Sequence, residues 1–329
     1  MMSSWCGYRW LRESPRLTGT TVGIDGPLLR QTTYTYLHDP SSGGNYAQYL
    51  SRNIANKVLT KTVLDGNGNQ IAQTINEYDN YSRTSQPMVA SGAVQRDPNY
   101  NYSPSSNFIY RGNLTAVEHW LNTSNSYLMT TNQYDDAGEV LSTIDPRGNK
   151  TTLSYTDSWG NTQCEPPGQG RAYVTAITNA LNQTTTNTFN SCTGLHASIT
   201  DPNLQPTTFN YDFADRKTQT NFPDGGQVSA TYSDAPPVSA TTTTKITTTP
   251  NPILNEVSTT VRDDLGRVSQ TQLTSDPLGI DYTVVTYDTL GRTNTSSNPY
   301  RATSDTTYGI TTNQYDGLSP SYRGYPSRR

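Results

Sequence analysis

The residues with usable chemistry are few, and their spacing decides what they can do. Histidine occurs at His38, His119 and His196. Imidazole binds metals and carries protons, but no two of these stand in HxxxH or HExxH spacing. A metal site or a Ser-His-Asp triad would need assembly from distant single residues, so the expectation is strand or surface histidine and no metal. Asp65-x-Asn67-x-Asn69 imitates the opening of a calcium loop. Its sixth position is Gln70 rather than Gly and its twelfth is Asn76 rather than Glu, so a Gly-rich hairpin between Val63-Leu64 and Ile71 fits better. No GxGxxG or Walker loop occurs, and no cofactor is expected. Aspartates recur, and a carboxylate pair could hydrolyse glycosides. Catalysis needs one pair with divergent pKa values, whereas these aspartates repeat in one setting. The expectation is therefore a protein that is not an enzyme.

That setting is a tyrosine. Tyr-Asp occurs at Tyr78-Asp79, Tyr134-Asp135, Tyr211-Asp212, Tyr287-Asp288 and Tyr315-Asp316. Degenerate copies stand at Tyr155, Phe189-Asn190, Tyr232 and Arg262-Asp263. From residue 134 the anchors fall at 134, 155, 189, 211, 232, 262, 287 and 315, with intervals of 21 recurring. Each anchor opens a small grammar. Tyr287-Asp288-Thr289-Leu290-Gly291-Arg292 aligns with Arg262-Asp263-Asp264-Leu265-Gly266-Arg267, and with Tyr134-Asp135-Asp136-Ala137-Gly138-Glu139. A short alternating stretch follows, then a second turn such as Asp145-Pro146-Arg147-Gly148.

The turn chemistry is readable. Asp can bond the backbone two residues on, and Gly three positions later supplies a positive φ. Asp-Pro-x-Gly suits a type I turn. Two strands of usual length fit one 21-residue unit, so the unit reads strand, turn, strand, turn. Thr outnumbers Lys, Arg, Asp and Glu together, and Thr and Tyr favour strands. The expected fold is all-β: a repetitive antiparallel hairpin meander forming a curved sheet or part of a hollow β-shell, with a lightly packed or partly wet face. A net charge of −4 over 329 residues gives no basic face, so nucleic acid is not an expected partner. No run of apolar residues is long enough to span a membrane.

These anchors resemble the YD repeats of the Rhs family, through YDTLGR (287–292), RDDLGR (262–267) and YDDAGEVLSTIDPRGN (134–149). The resemblance implies structural roles for Tyr78, Asp79, Tyr134, Asp135, Gly138, Tyr155, Tyr211, Asp212, Tyr232, Asp263, Gly266, Arg267, Tyr287, Asp288, Gly291, Arg292, Tyr315 and Asp316. It implies a bacterial secreted or surface protein whose repeats wind into a shell around a polymorphic toxin. The implied partners are other segments of the parent protein, an encapsulated toxin domain and cell-surface glycans. The alternative it leaves is a surface adhesion or carbohydrate-binding module built from the same repeats. The family's DPxGL shell end is absent, since Asp276-Pro277-Leu278-Gly279-Ile280 lacks its surroundings. Ser82 and Asp215 stand where Gly is expected, Arg262 replaces Tyr, and the 189–194 turn is one residue longer.

Four segments follow: an irregular leader at 1–30, a degenerate repeat region at 31–130, a regular repeat region at 131–316 and an irregular tail at 317–329. The start, with Arg9, Arg12 and Glu13 among Trp5, Tyr8 and Trp10, does not read as a secretory signal. An odd start and an abrupt end suggest a piece of a longer, extracellular or surface protein. The Thr-rich tract 241–249 reads as a solvated strand with an enlarged loop. Cys6, Cys164 and Cys192 form no CxxC; Cys164 and Cys192 could pair or remain thiols.

Overall fold

The computed structural model describes residues 29–39, 46–82, 87–94, 110–246, 254–316 and 321–328. These residues form 20 strands and one short helix. All the strand ladders are antiparallel, with consecutive strands paired from the first to the eighth and from the ninth to the twentieth, so the fold is all-β and a meander. No described helix is long and apolar enough to cross a membrane.

The chain divides into two compact units, Met1–Thr156 with Pro167–Gln183, and Asp157–Pro166 with Thr184–Arg329. The first unit holds β1 (Arg30–Tyr36), α1 (Tyr46–Leu50), β2 (Val58–Asp65), β3 (Gln70–Tyr78), β4 (Leu114–Leu121), β5 (Ser126–Tyr134), β6 (Val140–Ile144), β7 (Lys150–Ser154) and β8 (Ala176–Thr178). The second runs β9 (Thr184–Phe189), β10 (His196–Thr200), β11 (Pro206–Tyr211), β12 (Lys217–Asn221), β13 (Gln227–Ser233), β14 (Ser239–Lys245), β15 (Asn255–Arg262), β16 (Val268–Leu273), β17 (Asp281–Tyr287), β18 (Thr293–Ser297), β19 (Gly309–Tyr315) and β20 (Ser321–Arg328).

One segment differs from the sequence reading. The division at 130/131, drawn on the regularity of the repeats, falls inside β5, which pairs with β4. The tail expected to be irregular contains β20, which pairs with β19 from Gly309↔Arg328 to Tyr315↔Ser321. The open edge of β19 recruits a segment with little strand pattern of its own, and Pro326 is tolerated there because β20 has no further partner among the described residues. Residues 1–28 of the expected leader and 247–249 of the Thr tract lie outside the described residues, whereas Thr241–Thr244 form part of β14.

The interiors of the two units are unlike. In the first, Leu37, Tyr49, Val63, Met88, Ala116 and Tyr134 are buried beside Thr115, Asp135, Asp136 and Ser142. In the second, Phe189 is the one buried hydrophobic side chain among the described residues. Its strands are instead half-buried along most of their length. With little apolar area removed from water, cohesion there must come from directed polar contacts between strands.

Candidate functional site

The repeated residues supply those contacts. The anchor tyrosines hydrogen-bond backward to a carbonyl at the start of a neighbouring strand. Tyr134 Oη donates to Leu114 O at 3.1 Å, Tyr155 to Val140 O at 3.2 Å, Tyr211 to His196 O at 3.0 Å and Tyr232 to Lys217 O at 2.9 Å. Tyr287 donates to Val268 O at 2.8 Å and Tyr315 to Thr293 O at 2.7 Å. The acceptors follow a rule. Leu114, Val140, His196, Lys217, Val268 and Thr293 are the ladder partners of Tyr78, Tyr134, Phe189, Tyr211, Arg262 and Tyr287 respectively. Each tyrosine therefore ties itself to the residue opposite the preceding anchor.

The same rule uncovers an anchor that sequence reading missed. Tyr78 Oη donates to Val58 O at 3.0 Å, and Val58 pairs with Tyr36. Tyr36 carries no following Asp; it is followed by Leu37-His38-Asp39, and Asp39 Oδ2 accepts its backbone N–H. The signal in sequence would have been the spacing alone.

A register shift falls immediately before the anchor at Tyr36, Tyr78, Tyr134, Tyr211, Arg262, Tyr287 and Tyr315. Such bulges bend the strand and increase its twist. No residue type in the motif announces them.

The aspartates close the turns. Oδ1 of Asp135, Asp212, Asp263 and Asp288 accepts the N–H groups two and four residues on. Asp145, Asp201 and Asp65 make the same pair of bonds in the intervening turns. Asp65 therefore caps a hairpin between β2 and β3, and the described residues hold no cluster suited to a metal ion. Gly138, Gly266 and Gly291 take φ of +89°, +77° and +80°. Asp215 takes the equivalent place at +59°. Asp79 departs from the pattern: its carboxylate accepts N–H bonds from Arg111, Gly112 and Asn113, tying down the chain that returns into β4. Burial raises its pKa, against those bonds.

Where Arg follows four residues after Asp, a third link appears. Nε of Arg216, Arg267 and Arg292 donates to Oδ2 of Asp212, Asp263 and Asp288 at 2.8, 2.8 and 2.7 Å. Each guanidinium then lies over the next anchor ring: Arg216 over Tyr232 at 4.4 Å, Arg267 over Tyr287 at 4.2 Å and Arg292 over Tyr315 at 4.3 Å. The Arg267 hydrogen bond leads the effects that hold Asp263 below the usual carboxylate range. Asp316 follows the last of these rings, at the end of β19.

At Asp135 the position four residues on is Glu139, and the missing cation is replaced from elsewhere in the chain. Arg171 Nη2 reaches Asp135 Oδ2 at 3.1 Å and Glu139 Oε2 at 3.2 Å, and its guanidinium lies 5.9 Å from the Tyr155 ring centre. Burial, then the hydrogen bond and charge of Asp135, raise Glu139 to about 7. His119 Nδ1 lies 3.2 Å from Thr74 Oγ1, and His196 packs 4.5 Å from Phe189; both are strand residues. Cys164 and Cys192 form a disulfide, which fixes the 157–166 segment to the turn after β9.

No protein-family model and no curated protein matches this chain. Among solved structures, the crystal structure of TcdB2-TccC3 without its hypervariable C-terminal region aligns with 91% of this chain at 14% identity and a TM-score of 0.47. This chain spans 14% of that one. The Tc holotoxin pore of Photorhabdus luminescens aligns over 88% of this chain and 21% of its own, at 12% identity and a TM-score of 0.29. A porin-like protein from Bacteroides uniformis aligns over 64% of this chain and 88% of its own, at 14% identity and a TM-score of 0.26.

Proposed function

We propose that this chain is a structural YD-repeat segment of an Rhs-type secreted or surface protein, contributing wall to a β-shell that encloses a polymorphic toxin. The observation that carries the reading is the use of the recurring polar groups in holding strands together. Anchor hydroxyls bind carbonyls across the sheet, aspartates bind turn N–H groups, and arginines join Asp to the next tyrosine. Groups consumed in this way are not offered to a substrate, which supports a structural rather than a catalytic role for the repeat. The bulge before the anchors supplies the local twist that a curved wall requires.

The disulfide between Cys164 and Cys192 supports an extracellular or surface location, because such bonds persist in oxidising compartments. The partners on this reading are neighbouring repeats of the parent protein and the enclosed toxin domain. Expression of the natural reading frame around this chain tests it. A domain downstream of the repeats should resist protease until the repeat wall is denatured. Digestion of that domain at the same rate as the isolated domain would refute the enclosure.

A further inference from the structure

We infer that the turn from Asp135 to Glu139 is a proton-controlled latch. It holds two excursions of the chain, at residues 87–94 and 167–171, against the sheet when Glu139 is protonated, and loosens them when Glu139 ionises. The latch does not depend on the shell proposal, since every residue of it belongs to the first compact unit.

Three pieces of chain far apart in sequence meet at this turn. The meander is interrupted between β3 and β4 and again between β7 and β8. The first excursion comes back parallel to the anchor: Val89 N–H donates to Tyr134 O at 3.2 Å, and Asp136 N–H donates to Val89 O at 2.8 Å. Ser91 N–H donates to Asp136 Oδ1 at 2.7 Å, and Gln133 Nε2 donates to Pro87 O at 3.1 Å. Met88 and Ser91 are buried by this docking. The second excursion delivers Arg171 to Asp135 and Glu139. The two excursions also hold each other, through Val94 N–H to Gln169 O at 3.2 Å. Gly168 permits that approach, since a Cβ there would lie 2.9 Å from Val94 Cγ1.

The charges at the turn do not balance without a proton. At Asp212, Asp263 and Asp288 the residue four positions on is arginine, so each carboxylate has its own guanidinium. At Asp135 that residue is Glu139, and among the described residues Arg171 is the one cation paired with both carboxylates. Asp135 is fully buried, and Glu139 and Arg171 are mostly buried. Asp135 and Glu139 also share a hydrogen bond, which two ionised carboxylates cannot make. Asp135 Oδ1 accepts two turn N–H groups, which favour its ionised form, so the shared proton belongs to Glu139. The other groups facing Glu139 are Arg171 from the second excursion and Tyr155 beyond β7. Arg111 Nη1, from the first excursion's return, donates to Asp136 O at 2.7 Å.

The sign follows from burial. Closed, Glu139 titrates at about 7, with desolvation the leading cause. Opening returns it to water and toward its ordinary 4.5. Closing therefore takes up a proton: the latch is tightest in acid, loosens as pH rises from 4.5 to 7, and changes little above that. Loosening uncovers Tyr134 O and Asp136 N–H, the groups that Val89 occupies, as a short open strand edge.

Hydrogen exchange on the full chain, read at single amides by NMR, tests this. After correction for the intrinsic pH dependence of exchange, protection of the Ser91 and Val94 N–H groups should fall roughly tenfold or more between pH 5 and pH 8. The β4–β5 ladder of the same unit should keep its protection. Glu139→Gln keeps the size of the side chain and cannot ionise, so Ser91 and Val94 should be protected alike at both pH values. Four results would overturn the assignment: equal protection of the parent at the two pH values, greater protection at pH 8, a fall that the β4–β5 ladder shares, or a fall that persists in Glu139→Gln.

Discussion

The guanidinium of Arg267 lies 4.2 Å from the ring centre of Tyr287 while its Nε holds the Asp263 carboxylate at 2.8 Å. One side chain thus joins the turn between β15 and β16 to the end of β17. Replacement by Met keeps part of the apolar stem but removes both contacts. We expect Arg267→Met to lose about 1–2 kcal/mol in urea unfolding. Lysine cannot reproduce the planar fork, so Arg267→Lys should recover less than half of that loss.

Gly266 isolates the backbone requirement. A Cβ added there meets nothing within 4 Å, so any cost is conformational. Gly266→Val should destabilise by about 1–2 kcal/mol, because φ of +77° disfavours a β-branched residue. Gly291→Val adds a contact, since its Cβ would lie 3.3 Å from Arg267 Nη1. Thermal melting of both variants checks the turn, and an unchanged midpoint in each would remove it.

Much of this was legible because the turn chemistry is local. Asp263, Gly266 and Arg267 lie within five residues, and their types state their roles. The elements that escaped depend on long-range closure. Nothing near Glu139 signals that Arg171 will replace the absent arginine. Cys164 and Cys192 are 28 residues apart, and their pairing follows from where the sheet delivers them. Tyr36 lacks the adjoining Asp, so only its ladder partner Val58 reveals it as an anchor. β20 forms because β19 offers an edge, a property of the sheet rather than of residues 321–328.

Glu139 gives a pH dependence with a defined sign. Its folded pKa, about 7, lies above the ordinary value of 4.5. Ionised Glu139 therefore opposes folding; the penalty is fully present above pH 7 and disappears as pH falls toward 4.5. The groups facing it are Asp135, Arg171 and Tyr155. We expect Glu139→Gln to gain on the order of 1 kcal/mol at pH 8 and little at pH 5. Denaturant titrations at the two pH values read this directly.

Removing the disulfide should release the 157–166 segment. Cys164→Ser with Cys192→Ser is expected to cost about 3.6 kcal/mol, the loop-closure estimate for a separation of 28 residues. Hydrogen exchange should quicken first at Gly160, whose N–H donates to Phe189 O at 2.8 Å. Unchanged protection at Gly160 in the double variant would show that the strand contacts alone retain the segment.

The wall assignment is tested most directly by electron cryo-microscopy of the natural polypeptide that contains this chain. Among the described residues, the outer edges of β1 and β20 have no strand partner. The account predicts that further repeats pair with both edges and that the meander forms one wall of a closed compartment. Both edges left open to solvent, with no compartment, would contradict it.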